Sequence, residues 1–218
     1  MPDFIETGPP GASWRLLLAH GAGAAMTSPF MNTIAALLAE RSIAVSRFEF
    51  SYMAARREAG KRRPPPRAET LLHEYETAIA AALKSAPKHQ RLFIGGKSMG
   101  GRVASMVADE AFAAGLIAGL VCLGYPFHPP GKPDQLRTAH LVGLTCRALI
   151  VQGERDPFGS RAEVESMQLS SAIAFHWAAD GDHDLGPRGA SGFTRKGNLA
   201  AAAGAIAAFM AQSAARQD

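Results

Sequence analysis

Strand-like apolar runs and helical stretches take turns along this chain from residue 14 almost to its end. Strands separated by helices cannot pair as hairpins, so the alternation calls for a mostly parallel central sheet flanked by helices on both faces. The runs are short, at 14–19, 43–50, 91–95, 119–124, 148–153 and 173–177. Strands buried on both faces read this way. The intervening stretches carry helical signals of their own. Ser28-Pro29 sets a capping hydroxyl ahead of proline at a first helical position, and Phe30, Ile34, Leu37 and Leu38 then form one apolar face. Leu72, Tyr75, Ile79 and Leu83 do the same over 69–85, and a further helix is expected over 99–113. Ser160-Arg161-Ala162-Glu163 is a capping box opening a helix toward Leu169, and an alanine-rich helix covers 196–215. From 51 to 67 no periodicity is visible, and Pro64-Pro65-Pro66 stiffens a stretch expected to be a loop.

The 218 residues, with no internal repeat and no linker, fit a single α/β domain over 1–218. A 47% hydrophobic share excludes a disordered chain. No run reaches the roughly 18 apolar residues of a membrane span. Met1-Pro2-Asp3-Phe4-Ile5-Glu6 has no basic region leading into an apolar one, so no secretory leader is expected. Cys122 and Cys146 are too few for a disulfide scaffold and are expected buried and reduced, in keeping with a cytoplasmic location. The net charge of +4 is local. Between Arg56 and Arg67 lie six basic residues and one acidic, which leaves the remainder slightly negative. A nucleic-acid binder spreads its basic residues along a face, so no nucleic-acid partner is expected.

In such sheets ligands bind beyond the carboxyl ends of the strands. After 91–95 comes Gly96-Lys97-Ser98-Met99-Gly100-Gly101, which fits G-x-S-x-G. Small neighbours let a strand reverse sharply into a helix and leave the serine clear of the sheet. A serine needs a base, and the base an orienting acid. Asp156 follows the run ending at Gly153, and His183 follows the run ending at Trp177. Asp180, Asp182 and Asp184 compete with Asp156 for the acid's role, and its place after a strand favours Asp156. His20-Gly21-Ala22-Gly23 follows the first run, and the backbone N–H groups of Ala22 and Met99 are the candidate oxyanion donors. Catalytic Ser98, Asp156 and His183 imply attack on an acyl carbon of a small-molecule substrate, with no cofactor and no metal.

Two rival motifs fail. The first glycine of a phosphate-binding G-x-x-x-x-G-K-S would fall at Arg91, and the third of a dinucleotide fingerprint at Met26. The basic stretch follows the second run, on the side where the candidate site should lie. Arg57, Lys61, Arg62 and Arg63 are therefore candidate substrate contacts that would favour an anionic substrate, with a solvated loop as the alternative. Tyr125 and Phe158 are further pocket candidates.

The motifs together resemble the α/β-hydrolase superfamily at its compact, dienelactone-hydrolase-like end. More narrowly, the chain is similar to bacterial proteins related to the testis-expressed hydrolase-like proteins and to a scaffold subunit of the non-specific-lethal complex. The resemblance runs through His20-Gly21-Ala22-Gly23, Lys61-Arg62-Arg63-Pro64-Pro65-Pro66, the Ser98 turn, Gly124-Tyr125-Pro126-Phe127-His128 and Gly153-Glu154-Arg155-Asp156-Pro157. It implies a serine hydrolase, and the short stretch between the runs at 119–124 and 148–153 leaves little room for a lid. Dienelactone hydrolases use a cysteine where this chain has Ser98, so their lactone chemistry is an analogy, and the scaffold relatives imply a non-catalytic alternative.

Overall fold

The computed structural model describes residues 2–59 and 64–214. Seven strands form one sheet in the order β1-β3-β2-β4-β5-β6-β7. They are β1 (Ile5–Thr7), β2 (Trp14–Ala19), β3 (Ile43–Phe48), β4 (Arg91–Lys97), β5 (Gly119–Leu123), β6 (Ala148–Gly153) and β7 (Ile173–Ala178). All neighbours are parallel except the edge pair β1 and β3. The helices are α1 (Pro29–Ala39), α2 (Ser51–Ala59), α3 (Leu72–Ser85), α4 (Met99–Ala113), α5 (Ala139–Val142), α6 (Arg161–Glu165) and α7 (Arg195–Ala214).

Strand periodicity distributes the core between the two faces. In β2, Leu16 and Leu18 pack with α1 and α7, while Leu17 and Ala19 join the layer of α3 and α4. The same alternation sends Val121 and Leu123 of β5 to one layer and Leu120 and Cys122 to the other. The strand order reverses around β2 and β4, and the two chain segments leaving them, Ala19 onward and Lys97 onward, meet at that switch point.

Several boundaries depart from the sequence expectation. Residues 51–59 are helical, not a loop. Alanine, arginine and glutamate favour a helix, but its buried side is narrow, with Met53 as its buried apolar anchor, and so it shows no period. Its first turn is capped from α3, where the Glu74 carboxylate accepts from the Ser51 amide at 2.7 Å and the Ser51 hydroxyl at 2.9 Å. β3 stops at Phe48 because the Phe50 amide turns aside to donate to His20 Nε2 at 3.1 Å. α6 ends at Glu165, short of Leu169, where the Ser166 hydroxyl donates to the Glu163 carbonyl and competes with the helical ladder.

Candidate active site

Ser98 sits between the end of β4 and the first turn of α4, with φ 52° and ψ −117°. A serine with positive φ is strained, and close packing sustains it. A Cβ at Gly96 would come within 2.5 Å of the Gly100 carbonyl carbon, and one at Gly100 within 2.5 Å of the His20 carbonyl oxygen. Glycine at both positions lets α4 start directly against β2 and β4.

Beyond the strand ends, three side chains form a continuous relay. The Ser98 hydroxyl lies 2.9 Å from His183 Nε2, and His183 Nδ1 lies 2.8 Å from Asp156 Oδ2. A carboxylate accepts, so Nδ1 carries the proton and Nε2 presents its lone pair to the serine. Asp156 is fully buried and accepts two further hydrogen bonds: Gln152 Nε2 donates to Oδ2 at 2.9 Å and the Phe158 amide donates to Oδ1 at 2.9 Å. The Phe158 ring packs on the imidazole with centroids 4.3 Å apart.

The three competing aspartates are engaged elsewhere. Asp180 binds Arg155 and Arg188, and Asp182 accepts the amides of Asp184 and Gly186 in its own turn. Asp184 pairs with Lys97 at 3.3 Å.

Lys97 and Gln152 went unnoticed in the sequence, although a charged or amide side chain inside an otherwise apolar strand was the available signal. Lys97 is buried, and its ammonium donates to the His183 carbonyl at 2.8 Å and lies 5.3 Å from the centre of the Phe30 ring. Burial pushes it below the usual lysine range, with Asp184, Asp156 and Asp182 pulling the other way. Gln152 also accepts from the Tyr125 amide at 2.7 Å and donates to the carbonyls of Tyr125 and Gly159.

His20 is fully buried and neutral in its bonding, since Nε2 accepts from Phe50. Burial holds its pKa below the ordinary histidine value. Its Nδ1 therefore donates to the Gly21 carbonyl, 2.7 Å away. In a trans peptide the N–H points opposite to the C=O, so this bond turns the Ala22 amide away from His20. Tyr52 and Arg56 hold the next carbonyl, that of Ala22. Met99 opens α4, where first-turn amides lack intrahelical acceptors.

Ala22, Ser98, Met99 and Phe158 line one cavity of about 400 Å³. The remaining pocket candidates fall differently. Tyr125 is fully buried with its hydroxyl on the Arg137 carbonyl, so it packs the core instead of lining the cavity. Arg57 reaches Glu49 at 2.7 Å and lines a separate cavity with His73 and Thr77, because the helical turn of α2 carries it away from Ser98. Lys61, Arg62 and Arg63 lie outside the described residues. Arg67, Glu69, Arg102 and Arg137, none of them singled out in the sequence, do line the Ser98 cavity. Their convergence joins three distant segments and has no local motif.

Among the described residues no helix is long and apolar enough to cross a membrane. Residues 12–211 match the model of a family described as an alpha/beta hydrolase domain. Among solved structures, a dienelactone hydrolase from Anabaena variabilis is 20% identical with a TM-score of 0.71, covering 97% of this chain and 98% of its own. An alpha-beta serine hydrolase homologue from Coxiella burnetii is 17% identical with a TM-score of 0.66, covering 97% and 96%. A serine hydrolase without lid from Xanthomonas campestris is 14% identical with a TM-score of 0.64, covering 99% and 89%. At these identities the likeness establishes the fold.

Proposed function

This chain belongs to the alpha/beta hydrolase domain family, and we propose that it is a serine hydrolase cleaving a small ester, thioester or related acyl substrate. One observation carries the reading: the unbroken relay from buried Asp156 through His183 to a strained Ser98 that faces a cavity. In this reading the Ser98 oxygen attacks the acyl carbon as its proton passes to His183 Nε2. Asp156 holds the imidazole in the required tautomer and stabilises the imidazolium. The amides of Ala22 and Met99 receive the oxyanion of the tetrahedral intermediate. The imidazolium then protonates the leaving alcohol or thiol, and the acyl group stays on Ser98. Water attacks that ester, gives its proton to His183, and the acid departs as Ser98 is reprotonated.

The dienelactone hydrolase and lidless serine hydrolase likenesses support a compact pocket open to small substrates. Labelling with a fluorophosphonate probe tests the proposal. The folded protein should be modified at Ser98 and should hydrolyse short 4-nitrophenyl esters, and Ser98→Ala should do neither. A folded wild type that is neither labelled nor active would instead be a non-catalytic module of this fold.

A further inference from the structure

The cavity beside Ser98 has an unbalanced charge. Among the described residues, Arg67, Arg102 and Arg137 line it, against a single lining carboxylate, Glu69. That carboxylate is committed to Arg102. It is held ionised first by its own backbone N–H and further by Arg102. Arg137 has no carboxylate partner among the described residues, although it is half-buried.

Its backbone is fixed on both sides. The Arg137 amide donates to the Phe127 carbonyl at 2.8 Å, and its own carbonyl accepts from Tyr125 at 2.9 Å. Burial, and then the neighbouring Arg102, disfavour its charged form, and the Glu69 charge nearby offsets only part of this. Arg102 is equally placed, since its amide bonds the Ser98 carbonyl at 3.0 Å, one turn along α4. Partly desolvated like charges are unfavourable to hold together without a counter-charge. The planar guanidinium fork matches a carboxylate, which it can bind through two parallel hydrogen bonds.

We infer that the acyl group cleaved here ends in a second carboxylate, received by Arg137 with Arg102 and Arg67 around it, so that the substrate is a half-ester or half-thioester of a small dicarboxylic acid. The inference rests on the serine-hydrolase reading for the identity of the bond that breaks. The anion site itself rests on the arginines. A cavity of about 400 Å³ suits an acyl chain of this size.

The test compares mono-4-nitrophenyl glutarate with its neutral methyl ester, which share the reacting centre and leaving group. At low salt the wild type should favour the acid in kcat/KM by about tenfold or more, with the preference shrinking as salt rises. Arg137→Gln should bring the ratio toward one. Arg67→Gln, at an exposed position, should lower it severalfold, so the test survives if Arg137→Gln fails to fold. Lys84→Gln removes the same charge from the far end of α3 and should retain the ratio. A wild-type ratio within about twofold of one, with the neutral ester cleaved, overturns the inference and leaves the hydrolase standing.

A second readout is independent of turnover. Glutarate titrated calorimetrically into Ser98→Ala protein should bind, and adding Arg137→Gln should weaken it about tenfold. If Ser98 is neither labelled nor active, this binding decides the anion site by itself. No glutarate binding, or tighter binding of inorganic phosphate, overturns the carboxylate assignment.

Discussion

The Lys97 ammonium donates a 2.8 Å hydrogen bond to the carbonyl oxygen of His183. The residue immediately before Ser98 therefore secures the backbone of the residue that faces Ser98. In the proposed mechanism, a buried cation in this position sets the imidazole's approach without touching the reacting atoms.

Lys97→Met keeps an unbranched side chain one atom shorter and removes the bond. The expected loss is about ten- to hundredfold in kcat, or roughly 1.4–2.7 kcal/mol, with little change in KM. Steady-state kinetics on a short ester checks it. A KM effect with normal kcat would argue against positioning of His183.

Gln152 satisfies the Tyr125 amide while donating to Asp156. Gln152→Leu strands a buried amide and removes one of the carboxylate's donors. Stability should fall by about 1–3 kcal/mol, read by urea denaturation. Activity should fall as well, because Asp156 loses part of its orientation.

Gly100→Ala would press a methyl against the carbonyl oxygens of His20 and Ala19, at 2.5 and 2.7 Å. Both neighbours are backbone and cannot swing aside. The expected destabilisation is about 1–3 kcal/mol, with fluorophosphonate labelling slowed in the protein that remains folded. A melting temperature and labelling rate equal to wild type would contradict the tight elbow.

Asp180 is held at a pKa of about 2, first by its hydrogen bonds from the Arg188 side chain, with the Arg188 amide and Arg155 adding to the effect. The folded value lies below the unfolded one near 4, so the unfolded chain takes up this proton first. The contribution is complete above about pH 4 and disappears as pH falls toward 2. Asp180→Asn suits the positive φ of 49° at this position. It should melt below wild type at pH 7, and the two melting curves should converge as pH falls through that window.

The parts of this site that were legible in the chain lie at strand ends. Gly96, Gly100 and Gly101 mark a turn whose steric demands are local, and Ser98, Asp156 and His183 each follow an apolar run. What was not legible depends on packing across the fold. Arg102 and Arg137 meet at one cavity only once α4 and the chain after β5 are docked. Arg57 was expected near Ser98, but helix α2, half solvated and thus without a strong apolar period, turns it toward Glu49. Tyr125 illustrates the ambiguity of an aromatic residue after a strand, since the same side chain can line a pocket or, as here, fill the core. The three-residue β1, antiparallel at the sheet's edge, is too short to give any periodic signal.

Ser98 and His183 stand 85 residues apart in the chain yet share one hydrogen bond. During synthesis the serine emerges long before its partner, and the imidazole arrives only with the segment beyond β7. Until that segment docks beside β6, Ser98 is an ordinary hydroxyl with no base within reach. Under the proposed serine-hydrolase mechanism, unfinished chains would not react with acyl compounds, and recovery of serine reactivity after refolding would time the closing of the sheet's far edge.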